Sequence, residues 1–169
     1  MEMAEGTKVQ KLIGRHKRVA FMNVGGTYER MTGFTSLGNS KNPKEYSRQY
    51  VDEESERSDV VGYAESIGYA FDRHTNNVVH ARLAEISDDE IVGTDAQVEI
   101  LSVELFDEAA TATTAPAKLR TYSVIPDADG DSTDALTYSG NLKAASTKTK
   151  GTATTTDGWK TCSFEKSAE

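Results

Sequence analysis

The chain has 169 residues, with 27 acidic against 19 basic side chains (formal net charge -8), 37% apolar residues and one cysteine, Cys162. That length suits one domain of ordinary size, no apolar run approaches the roughly 18 residues of a membrane-spanning helix, and a lone cysteine excludes an internal disulfide framework and fits a reducing cytosol. The acidity argues against a nucleic-acid binder, which needs a positive face to release counterions from phosphates.

Residues 1–16 are basic and aperiodic and read as an N-terminal arm; residues 1–11 hold no apolar stretch of the kind a secretory signal requires. Residues 17–169 read as a single domain dominated by period-2 alternation. Residues 17–24 alternate, Gly25-Gly26 follows as a turn, and 28–37 alternate again, which predicts a hairpin. Residues 38–58 are polar with no apolar period. A structureless stretch of that length inside a domain is usually functional or ordered by a partner. Its centre supplies Tyr46, Arg48 and Tyr50, and tyrosine and arginine are enriched at protein interfaces.

Residues 59–72 read as one strand, with Val61, Tyr63, Ile67, Tyr69 and Phe71 on one face, interrupted only by Glu65. The other face is nearly all small, so another backbone or a passing surface can come close. One helix follows, capped by Thr75 or Asn76, with Val79, Leu83 and Ile86 at i, i+4 and i+7; Asp88-Asp89-Glu90 and Gly93 end it. Strands are then predicted over 97–106, 118–125, 135–142 and 151–165. The last is a hairpin with Asp157-Gly158 at a type I′ tip, and 109–117 and 144–151 read as loops. The fold class is therefore mainly β, a β-sandwich or partly closed barrel with one flanking α-helix.

Site chemistry is sparse. In Asp127-Ala128-Asp129-Gly130-Asp131 a calcium loop would need glycine at its sixth position and a carboxylate at its twelfth, where Ser132 and Tyr138 stand. The same residues imitate the Asp-x-Asp-Gly of dehalogenase-like phosphatases, without the long α/β chain that motif closes. An acidic turn is the simpler reading. His16, His74 and His80 lack metal-ligand spacing and read as surface or capping residues, and Cys162 as a packed thiol. No nucleophile elbow, phosphate loop or zinc pattern occurs, so neither catalysis nor a cofactor is expected.

The charge is divided along the chain. Residues 1–51 sum to +5, 52–108 to -13 and 109–169 to zero. Such a chain can neutralise itself head to tail, within one molecule or between copies.

The run Met31-Thr32-Gly33-Phe34-Thr35-Ser36-Leu37, then Asn39-Ser40-Lys41-Asn42-Pro43-Lys44-Glu45-Tyr46 and Arg48-Gln49-Tyr50-Val51-Asp52-Glu53, resembles the major tail (tail tube) protein of long-tailed bacteriophages. The likeness is to tubes of non-contractile tails from phages of Gram-positive bacteria. It continues through Asp59-Val60-Val61-Gly62-Tyr63, Tyr69-Ala70-Phe71-Asp72, the helix, and Ala135-Leu136-Thr137-Tyr138-Ser139-Gly140-Asn141-Leu142-Lys143, to the threonine-rich final hairpin. It rests on runs of residues and an element order, with no catalytic signature.

The resemblance implies hexameric rings that stack into a hollow tube, made in the host bacterial cytoplasm and built into the virion tail. DNA passes through without specific binding, and the tape-measure protein fills the bore beforehand. Tail terminator and distal tail proteins are the further partners. The 38–58 segment and the arm would reach neighbouring subunits, with Tyr46, Arg48 and Tyr50 as contacts. Carboxylates facing the bore would keep DNA sliding, with Glu65, Glu99, Glu104, Asp127, Asp129 and Asp131 as candidates. Two rival readings are a monomeric β-sandwich binding module of adhesin or carbohydrate-binding type, and a metal-dependent hydrolase built on Asp127 and Asp129.

Overall fold

A computed structural model describes residues 9–130 and 132–168. Half of the expected arm over 1–16 lies outside them; its residues 9–16 are described, mostly exposed up to a short 3-10 turn at Arg15–Lys17. The strands are β1 (Arg18–Val24), β2 (Thr27–Arg30), β3 (Phe34–Ser40), β4 (Pro43–Arg48), β5 (Arg57–Tyr63) and β6 (Ser66–Asp72). After helix α1 (Val78–Asp88) come β7 (Gln97–Glu104), β8 (Thr114–Asp129), β9 (Thr137–Ala144), β10 (Thr149–Thr154) and β11 (Thr161–Lys166).

Nine strands form one antiparallel sheet in the order β10-β11-β2-β1-β7-β8-β9-β6-β3, and β10 also pairs with β8. The long strand β8 makes that double connection possible. Its first part, from Thr114 to Leu119, pairs with β10, and its second, from Tyr122 to Asp129, with β9. The strands β1, β7, β8, β10, β11 and β2 therefore curl into a ring-like arrangement, while β9, β6 and β3 extend away from it. This is the mainly β, partly closed architecture with one helix that the sequence predicts.

Alternation then sorts side chains onto two faces. Val19, Phe21, Leu101, Val103, Ala115, Ala117, Ala153, Trp159 and Cys162 fill the ring interior. Met22, Ile100, Tyr122, Val124 and Leu142 point the other way and pack with Ile67, Tyr69, Phe71 and the helix residues Val79, Leu83 and Ile86. Strands β1 and β7 are thus buried on both faces. Cys162 is the packed thiol expected, and burial pushes it up to about 12.

Several boundaries differ from the sequence reading. The 28–37 segment is not one strand: β2 ends at Arg30, and Gly33, at φ +74°, redirects the chain so that β3 pairs with β6 on the far side of the sheet. A Cβ on Gly33 would lie 2.9 Å from His80 Cε1. The 59–72 segment also divides: β5 stops at Tyr63, and β6 begins after Ala64-Glu65. Val61 and Tyr63 are exposed at 65% and 63%, whereas Ile67, Tyr69 and Phe71 are buried.

The predicted loop over 38–58 is in fact structured. It carries the end of β3, all of β4 and the start of β5, and β4 and β5 form a separate two-stranded hairpin that pairs with no other strand among the described residues. Parts of 109–117 and 144–151 likewise belong to β8 and β10. The final turn is longer than a type I′ pair, spanning 155–160 with both Gly158 and Trp159 at positive φ. Asp157 organises it, accepting from the backbone of Lys160 and Thr161 at 3.1 and 3.0 Å. These bonds, led by the Thr161 hydroxyl at 2.6 Å, lower the Asp157 carboxyl to about 2.

The helix begins where predicted to within two residues. Its cap is Asn77, which accepts from Val79 and His80 N–H at 3.1 Å each. Asn76 before it sits at φ +58° and cannot serve. His80 corrects the expectation of a surface residue: it is fully buried. Its ring stacks on Phe71 at 4.5 Å and meets Phe34 edge-on at 5.5 Å. His74 N–H donates to Nδ1 at 3.1 Å, so the other nitrogen carries the proton and donates to the Thr32 carbonyl at 2.7 Å. His74 and His16 are exposed, as predicted.

Candidate interaction surfaces

Two features stand apart from the packed core: the projecting hairpin and a charged cleft at its root. The hairpin is braced across its strands. Arg48 pairs with Asp59 at 2.6 Å and donates Nε–H to the Tyr50 hydroxyl at 2.7 Å. Its guanidinium also lies 5.1 and 5.3 Å from the Tyr46 and Tyr50 ring centres, within cation–π range. Ser47 and Ser58 hydroxyls bond across the pair at 2.8 Å. The three residues singled out from sequence thus form one cluster at the distal half of the arm. Tyr46, Tyr50, Val51, Val60, Val61 and Tyr63 remain at least 45% exposed, an apolar surface a lone two-stranded ribbon has no core to cover.

The cleft lies on the helix-side face of the sheet, away from the helix. Strand register assembles it: Ser102 stands opposite Lys118, Ile100 opposite Arg120, and Arg18 opposite Glu104. Its cavity holds about 110 Å³. Glu65 is buried there at 3% exposure. Arg120 donates to it, Lys148 Nζ lies 3.1 Å away, and Lys41 Nζ lies 3.7 Å away. Burial alone would raise the Glu65 carboxyl, but Lys148, Lys41 and Arg120 hold it below the usual range. The Lys41 ammonium is lowered, chiefly by Lys148 beside it and by partial burial.

The acidic candidates do not share one surface. Glu65 faces the cleft, neutralised, rather than solvent. Glu104 lines the same cleft and pairs with Arg18 at 3.1 Å. Glu99 is half-buried on the opposite face, accepting from Asn23 and Tyr28, each at 3.2 Å. Asp127 and Asp129 are exposed at the end of β8, next to a bulge between Pro126 and Ala128. Asp131 lies outside the described residues. Among the described residues no group of three His, Cys, Asp or Glu side chains is placed to hold a metal ion. The cleft is not legible in the sequence because its cations come from four separated segments, 15–18, 41, 118–120 and 148; Glu65 interrupting an apolar face is the one local sign.

Compared by sequence, the chain matches no protein-family profile and no curated protein. Compared by structure, it is similar to a chain in the tail of an empty GTA particle solved with C6 symmetry. The identity is 12% and the TM-score 0.59, over 81% of this chain and 97% of that one. A chain of the six-fold symmetrised baseplate of the anti-feeding prophage aligns at 9% identity and a TM-score of 0.48, over 84% and 97%. The first likeness establishes that this chain shares the fold of a subunit from a six-fold tail.

Proposed function

We propose that the chain is a structural subunit of a bacteriophage tail tube, of the non-contractile type found in phages of Gram-positive bacteria. Six copies form a ring, and rings stack into a conduit that houses a tape-measure protein and then passes DNA. Terminator and distal tail proteins close its ends. The subunit is made in the host bacterial cytoplasm, works in the virion, and has no catalytic role.

The observation that carries this reading is geometric. A fold shared with a C6-symmetric tail subunit presents an edge strand and a projecting arm, neither of them continued by another strand among the described residues. Among the described residues strand β3 pairs with β6 alone, leaving a seven-residue edge on which Arg15 donates to the Leu37 carbonyl at 3.2 Å. Exposed edges are an aggregation hazard unless a neighbour continues the sheet, and ring closure removes them altogether. Tyr46, Arg48 and Tyr50 on the arm supply the anchors for neighbouring copies. Of the described carboxylates considered for the bore, Asp127 and Asp129 are the exposed ones without an ion pair among the described residues, and a negative lining repels the duplex rather than capturing it.

Purified protein, concentrated and viewed by negative-stain electron microscopy with its mass followed by light scattering, forms six-fold rings or tubes. A particle of single-chain mass at every concentration overturns the proposal in favour of a monomeric binding module.

A further inference from the structure

The cleft carries more positive charge than the subunit neutralises. Six cationic side chains line it against two carboxylates, a net of +4. Among the described residues Glu65 is the carboxylate that answers Lys41, Arg120 and Lys148. Lys118 is exposed at the rim with no ion pair among the described residues. The Arg120 Nε–H is buried without a hydrogen-bond partner among the described residues. Cations held this close repel one another and leave donors unsatisfied, so an added anion is favoured.

The complementary charge is at the tip of the hairpin. Asp52, Glu53, Glu54 and Glu56 fall within five residues of the turn joining β4 to β5. Glu53 is engaged by Arg57, which donates to it at 2.9 Å, while Asp52, Glu54 and Glu56 are exposed. We infer that the acidic hairpin tip of one copy docks in the basic cleft of another, setting Asp52, Glu54 and Glu56 against Lys118 and Lys148.

The tip cannot reach the cleft of its own chain. Lys41 and Glu65 flank the root of the arm, and six paired residues at roughly 3.3 Å each hold the tip about 20 Å away. The Arg48–Asp59 and Ser47–Ser58 braces keep the ribbon straight. An apolar partner does not suit a cleft of this charge, and a free inorganic anion leaves the acidic tip unanswered. A second copy satisfies both at once.

This inference rests on the tail-tube reading and deepens it by naming what the arm docks into. Two charge reversals test it in the full chain: Lys118→Glu with Lys148→Glu in the cleft, and Glu54→Lys with Glu56→Lys in the tip. Each pair is expected to raise the concentration needed for assembly by about tenfold or more, and all four together to restore it. Zero-length carbodiimide crosslinking of assembled wild-type protein, with peptide mapping, is expected to join Lys118 or Lys148 to the 52–56 peptide. That second readout does not depend on any variant folding. Wild-type tubes that yield no such crosslink, or reversals that leave assembly unchanged, overturn the docking and leave the tube intact. Wild-type protein that never assembles overturns the tube reading, and the docking with it.

Discussion

His80 shows how a single residue can be legible in type and misread in place. Histidine two positions after the first apolar residue of a helix carries no periodic signal. Only the fold reveals that Gly33, Phe34 and Phe71 close around it. Burial, followed by the neighbouring His74 and Arg73, lowers its basicity below the ordinary 6.5. The folded state therefore takes up a proton less readily than the unfolded chain. Stability contributed by neutral His80 is complete above the unfolded value and declines as the pH falls from 6.5 toward the folded one. Unfolding free energies from urea titrations between about pH 5 and pH 7 should rise with pH, by at most about 1.4 kcal/mol per unit for this one proton. In His80→Gln that slope should flatten; an unchanged slope would assign the proton elsewhere.

At the scale of elements, the sequence is readable wherever one face is buried and silent where none is. Strand β6 alternates because Ile67, Tyr69 and Phe71 enter the core while Ser66, Gly68 and Ala70 do not. Strand β4 is exposed at all but its last residue, so no alternation can mark it, and a hairpin passes for a loop. The fused 59–72 reading failed for a related reason: Val60, Val61 and Tyr63 imitate a core strand although they lie on the arm. Because the hairpin forms its own two-stranded sheet, it should be separable from the fold. Pro43 and Tyr63 are paired neighbours, so a Gly-Gly turn replacing 44–62 bridges the gap. That variant should keep its circular dichroism and melt within about 3 °C of wild type, yet form no tubes on the microscope grid. Tubes from it would remove the arm from assembly.

At the scale of the molecule, the sequence conveyed the architecture but not the closure. Which strands meet around a ring depends on long-range pairing such as β10 with β8, and no local pattern encodes it. The charge division is legible in the sequence, and the fold gives it an address: basic residues from the first and last thirds of the chain converge in one cleft, while the acidic middle supplies the arm's tip. The double role of β8 has a further consequence, for cooperativity. Neighbouring residues of β1 and β7 feed opposite cores (Phe21 and Met22, Leu101 and Ile100), and β8 is hydrogen-bonded into both halves. Neither core can melt while the other survives, so calorimetry should show one transition whose van't Hoff and calorimetric enthalpies agree. Amide exchange should be slowest together in β1, β7 and β8. A subunit that unfolds only as a whole has no loosened half to offer when the particle is strained: load on a tail is met at the contacts between copies, leaving each copy intact.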